Sequence, residues 1–122
     1  MRHSVTFERF DVVKVPFPFT DKQATKTRPA LVISDRNFNV SVGQSVMAMI
    51  TSAKSSTWLL DTEITDLTAA GLPVSCLIRM KLFTIDNRLV IKKLGRLSQR
   101  DSSEFERNFG MLQDTNKNTS TC

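Results

Sequence analysis

One proline constrains this chain more than any other residue. Thr27-Arg28-Pro29 runs directly into Ala30-Leu31-Val32-Ile33-Ser34, and Ala30–Ile33 is a short apolar run, β-branched at two of four positions. Such a run reads as a strand buried on both faces. Proline has no N–H for a ladder, so Pro29 belongs at the strand's first residue. Arg28 then stands where a polar loop (Asp21–Thr27) meets a rigid core strand. A planar, always-charged group with five donors suits a phosphate site.

The rest of the chain punctuates in the same way. Phe10–Val15 reads as a strand whose regular pairing ends at Pro16-Phe17-Pro18-Phe19. Asp35–Gly43 reads as turn-rich, and Val46–Ile50 as a strand closing on Thr51-Ser52. Trp58–Glu63, Val74–Met80, Leu82–Asp86 and a basic Leu89–Ile91 are further strand candidates. Thr65–Gly71 reads as one helical turn capped by Thr65 or Asp66 and stopped by Gly71. Ser98 opens the one substantial helix, with Asp101 at capping-box spacing and Phe105, Phe109 and Leu112 on one face. Several short strands and one late helix predict a small closed or half-open barrel, one domain over residues 1–113. Met1–Arg9 reads as a mixed polar arm, and 114–122 as a polar, flexible tail.

At 122 residues the chain is long enough to bury roughly two-thirds of its unfolded surface without staples. No apolar run would cross a bilayer and no start resembles a signal peptide, so a soluble, cytoplasmic protein with no membrane partner is expected. Neither Cys76, in an apolar run, nor Cys122, at the end of the polar tail, reads as half of a disulfide. The net charge of +5 is concentrated: residues 79–100 hold seven basic side chains and one acid, and the remainder ten and eleven. This is the footprint of a polyanion partner, or of lysines guarding a sheet edge.

Three blocks resemble the PemK/MazF family of toxins: Asp11–Asp21, Arg28–Ser34 and Ile50-Thr51-Ser52. Three more follow in the same order, Gly71-Leu72-Pro73, Ile78–Thr84 and Leu94–Ser98, and the likeness spans about residues 8–112. The resemblance implies a mainly-β, SH3-like barrel of the PemK/MazF/CcdB type, with a short helix near 66–70 and a C-terminal α-helix. It implies a homodimer, a cognate antitoxin partner and an endoribonuclease activity on single-stranded RNA. By position it makes Arg28 and Thr51 catalytic, with Ser52 beside them, and makes Arg79 a basic site residue. Phe19, Asp21, Gln23 and Lys81 complete the substrate-binding set. Two departures stand out: Lys81 occupies a position that is acidic in some members, and Gln23 falls where some carry a glutamate.

The residues themselves narrow the chemistry. Attack of a 2′-hydroxyl on the neighbouring phosphate needs a base, cationic donors and an acid, and no cofactor. With the single His3 in the N-terminal arm, one subunit cannot run a two-histidine mechanism. No metal-ligand spacing and no Gly-rich phosphate loop is present. Arginine with hydroxyls remains. Phe17, Phe19 and Trp58 read as core or as stacking platforms. Two alternatives share the barrel: a toxin that binds DNA gyrase, and a non-catalytic RNA-binding module. The C-terminal Asn118–Cys122 has no aromatic anchor of the kind the first would use.

Overall fold

A computed structural model describes residues 6–17, 26–54 and 56–114. Six strands form one antiparallel sheet: β1 (Asp11–Phe17), β2 (Lys26–Val32), β3 (Gln44–Ser52), β4 (Thr62–Glu63), β5 (Cys76–Asp86) and β6 (Lys92–Arg96), in the order β4-β5-β3-β2-β1-β6. Among the described residues three α-helices accompany it: α1 (Arg36–Val42), α2 (Leu67–Ala70) and α3 (Gln99–Gln113). The tail beyond 114 and His3 lie outside the described residues.

The two prolines locate an unusual feature of the sheet. Pro29 is not the first residue of β2; it pairs with Lys14 of β1, while pairing to β3 begins only at Ala30. Pro16 likewise pairs with Thr27, although β6 reaches β1 only as far as Lys14. Beyond Ala30 and Lys14, β1 and β2 keep pairing with each other but no longer with β3 or β6. Each proline sits where its strand has a neighbour on one side only, so no ladder bond is lost.

The sheet curls around an inner core of Val12, Leu31, Ala48, Ile50, Ile78 and Phe105, which α3 covers with stacked Phe105 and Phe109. Closure is made by α2 rather than by strand pairing. A Cβ at Gly95 of β6 would lie 2.7 Å from the Ala70 carbonyl oxygen, and one at Gly71 2.6 Å from the Leu94 carbonyl carbon. Only glycine permits these backbones to approach so closely. A second cluster on the outer face joins Val13, Val15, Ala30, Val32 and Met47 to Phe7, so the N-terminal arm contributes to the core after all.

Further expectations change. The segment 35–43 is helical, because Asp35 caps it by accepting from Asn37 N–H and Gly43 ends it at φ 77°. Asn39, which reads as a turn residue, is instead buried, donating to the Phe7 and Ser34 carbonyls. The two strands expected at 74–86 are one, with Met80 and Lys81 as extra residues at a bulge between Arg79↔Met49 and Leu82↔Ala48. Only Thr62–Glu63 of 58–63 is strand, and the basic strand falls at 92–96, after a 3₁₀ turn at Asn87–Leu89.

Asp101 joins the two late helices. Ser98 caps α3 as expected, accepting from the Asp101 N–H. The buried Asp101 carboxylate does not close a capping box, however. It accepts from the Thr65 N–H and hydroxyl and from the Asp66 N–H, and so fixes α3 to the start of α2.

Candidate functional site

Strand register assembles the candidate site. β2 and β3 pair at Ala30↔Met49, Leu31↔Ala48 and Val32↔Met47. Continued past Pro29, this register sets Arg28 opposite Thr51. Side chains two apart share a face, so Arg28 lies on the side of Ala30 and Val32, and Thr51 on the side of Met47 and Met49. Both belong to the outer face. Phe17 of β1 shares it, and the Arg28 guanidinium carbon sits 5.0 Å from the centre of the Phe17 ring.

Arg28 is exposed and, among the described residues, pairs with no acid. The Phe17 ring limits where its fork can point and favours the cation electrostatically. Thr51, half-buried, is paired in the ladder with Leu77. Ser52 alternates to the other face, and its hydroxyl oxygen accepts from the Lys54 N–H at 3.1 Å. Extended past Pro29, the β2–β3 register puts Arg28 and Thr51 on one face of the sheet and Ser52 on the other. Phe19, Asp21 and Gln23 lie outside the described residues.

Arg79 occupies the same outer face, opposite Met49, but its guanidinium is already engaged. Nε and Nη2 donate to Asp61 Oδ1 and Oδ2 at 3.1 and 2.9 Å, and Nη2 donates also to the Ser56 carbonyl. The two side chains are 9% and 6% exposed. Burial alone would raise the Asp61 pKa, yet the Arg79 and Trp58 N–H bonds and the Arg79 charge hold it below the usual value. Sequence reading missed this clamp, because nothing in the chain marks Asp61 as the partner of a residue eighteen positions away.

Part of the basic segment is paired in the same manner. Arg96 and Lys93 reach the buried Asp11 at 2.9 and 3.3 Å. Arg88 grips Asp86 at 2.9 Å and, chiefly through that hydrogen bond, holds its carboxyl down at about 2. Among the described residues of 79–100, only Lys81, Lys92 and Arg100 pair with no acid. Cys76 is buried, which pushes its thiol pKa up and makes it a poor nucleophile. No three His, Cys, Asp or Glu side chains among the described residues are grouped to hold a metal ion.

A family model described as a PemK-like, MazF-like toxin of type II toxin–antitoxin systems matches residues 8–111. The chain belongs to the PemK/MazF toxin family. Its fold agrees with this. MazF from Deinococcus radiodurans is similar at a TM-score of 0.69 and 20% identity, covering 90% of this chain and 98% of that one. A MazE–MazF complex from the same organism gives 0.70 and 16%, covering 90% and 97%. An endoribonuclease in complex with its cognate antitoxin, from a mycobacterial species, gives 0.69 and 11%, covering 88% and 93%. Among curated protein sequences nothing matches. The two glycines of the PemK/MazF-like blocks, Gly71 and Gly95, are the pair that lets α2 close the barrel.

Proposed function

We propose that this toxin is an endoribonuclease that cuts single-stranded RNA without a metal, by attack of a 2′-hydroxyl on the adjacent phosphorus. The 2′-oxygen forms the new P–O bond, the 5′-oxygen leaves with a proton, and the products are a 2′,3′-cyclic phosphate and a 5′-hydroxyl. Arg28 bears the charge that develops on the phosphorane oxygens, and Thr51 hydrogen-bonds the same phosphate. A guanidinium stays protonated and offers a bidentate fork, which suits charge stabilisation better than proton donation. The observation that carries this reading is the shared outer face of Arg28 and Thr51, with Arg28 exposed, without an acidic partner among the described residues and held against Phe17. Family membership supports it, and so does the activity named for the mycobacterial structure.

The same reading makes the functional unit a homodimer and gives it an antitoxin whose acidic segment competes with RNA. Arg28 supplies a preorganised donor of a kind whose loss typically costs about 10²–10³ in rate. Single-turnover cleavage of a short single-stranded RNA in excess EDTA tests this. Wild type should retain activity and Arg28→Ala should lose at least that factor. Arg28→Lys should recover part of it, because an ammonium lacks the fork. Full activity of Arg28→Ala, or abolition of wild-type cleavage by EDTA, overturns the proposal.

A further inference from the structure

We infer that Trp58 is a platform on which one unpaired base of the RNA stacks, and that Arg79 is the positioning residue that holds it there. This rests on the ribonuclease reading and adds a subsite to it. Trp58 is 44% exposed on the segment that precedes β4. That segment is firmly held: Arg79 grips both carboxylate oxygens of Asp61 and the Ser56 carbonyl. Asp61 accepts from the Trp58 N–H at 2.8 Å and returns its own N–H to the Trp58 carbonyl. Leu60 sits at φ 70°, a conformation leucine keeps only where its surroundings impose it.

The clamp also orients the ring. The Arg79 guanidinium carbon lies 4.8 Å from the Trp58 ring centre, covering one side of the indole and leaving the ring partly open. A ring already fixed loses little side-chain freedom when a base stacks on it. Buried ion pairs contribute little net stability, so a role in orientation accounts better for Arg79–Asp61. Position favours RNA as the occupant. Arg79 is the diagonal neighbour of Thr51 on the outer face, about 7–8 Å across the ladder. Lys81, exposed and with no acidic partner among the described residues, follows on the same strand. Stacking on an aromatic face beside free cations is how unpaired strands are held with little regard to sequence.

Trp58 is the chain's one tryptophan and there is no tyrosine, so intrinsic fluorescence reports on this ring alone. The probe is a labelled pool of 2′-fluoro single-stranded oligonucleotides, which lack the attacking hydroxyl, followed by one abasic position stepped through the sequence that cleavage mapping returns. Binding by anisotropy should be accompanied by quenching of Trp58. Trp58→Ala should weaken binding by roughly 10- to 100-fold, and Trp58→Phe should restore part. One abasic position should remove the quench and penalise wild type but not Trp58→Ala. Arg79→Lys should raise KM with kcat little changed and diminish the quench. Binding without quench, or equal abasic penalties in wild type and Trp58→Ala, overturns the platform and leaves the ribonuclease reading standing. No binding overturns both. Unchanged RNA affinity in Trp58→Ala together with altered self-association makes this a protein contact instead. An Arg79→Lys variant with wild-type quench and KM removes Arg79 from the proposal.

Discussion

Replacing Asp101 by asparagine removes one charge from a buried carboxylate while keeping its shape. Oδ2 accepts from the Thr65 and Asp66 N–H groups at 3.0 Å each, and Oδ1 from the Thr65 hydroxyl at 2.7 Å. An asparagine oxygen in place of Oδ2 keeps both N–H bonds, and the hydroxyl can turn to accept from the new amide. What is lost is the charged character of three bonds. Bonds to charged groups contribute about 1.5–3 kcal/mol and neutral ones about 0.5–1.5, so the loss is about 3 kcal/mol. For a domain of this size that lowers Tm by roughly 10 °C. Asp101→Ala should cost more, since two N–H groups lose their acceptor. The pH dependence gives the sharper test. Burial pushes the Asp101 pKa up, but the hydrogen bonds outweigh it and the net shift is downward. A depressed folded pKa means the stability is fully present above the unfolded value, about 3.9, and is lost as pH falls through the folded value. Urea unfolding at fixed protein concentration should therefore show the full gap between wild type and Asp101→Asn at pH 7 and a smaller one at pH 3. A gap below about 0.5 kcal/mol at pH 7, or one equal at both pH values, would refute the reasoning.

The glycines should respond in opposite directions to alanine. Gly95→Ala forces backbone against backbone and should cost about 3 kcal/mol or more by urea unfolding, whereas Gly110→Ala, in α3 with open space around it, should gain about 0.5–1 kcal/mol. Lys81→Ala and Lys92→Ala should each flatten the salt dependence of RNA binding by about 0.7, for every sequence alike, in anisotropy titrations. Light scattering at micromolar concentration should return a dimer, and saturating antitoxin should displace bound RNA.

Strands and caps were legible in the sequence where local chemistry decides them. The C-terminal helix begins at Ser98 as its cap requires, and the turn at Leu67–Ala70 ends at Gly71 because that residue takes φ 73°. Helix α1 was not legible. Asp35, Asn37, Asn39 and Gly43 serve equally as turn formers, and what selects the helix is Asn39 donating to Phe7, 32 positions away. Pro29 reads as the start of its strand only if a ladder flanks it on both sides. The ladder is one-sided at that point, which no local pattern reveals.

The site divides along the same line. Arg28 and Thr51 could be named from sequence blocks, but their sharing of a face follows from β2–β3 register, which only the folded sheet supplies. Seven basic residues against one acid read as a polyanion footprint or a guarded sheet edge, and Asp61 and Asp11 arrive from outside the segment to pair with Arg79, Arg96 and Lys93. Attraction of a phosphate chain depends on charges left unpaired, not on charges counted. Arg28, Lys81, Lys92 and Arg100 are among the described cations that meet this condition, and of these four it is Arg28 that the β2–β3 register, continued past Pro29, puts opposite Thr51. On the proposed reading, those unpaired cations hold the RNA strand, and Arg28 with the β2–β3 register marks the phosphate that is cut.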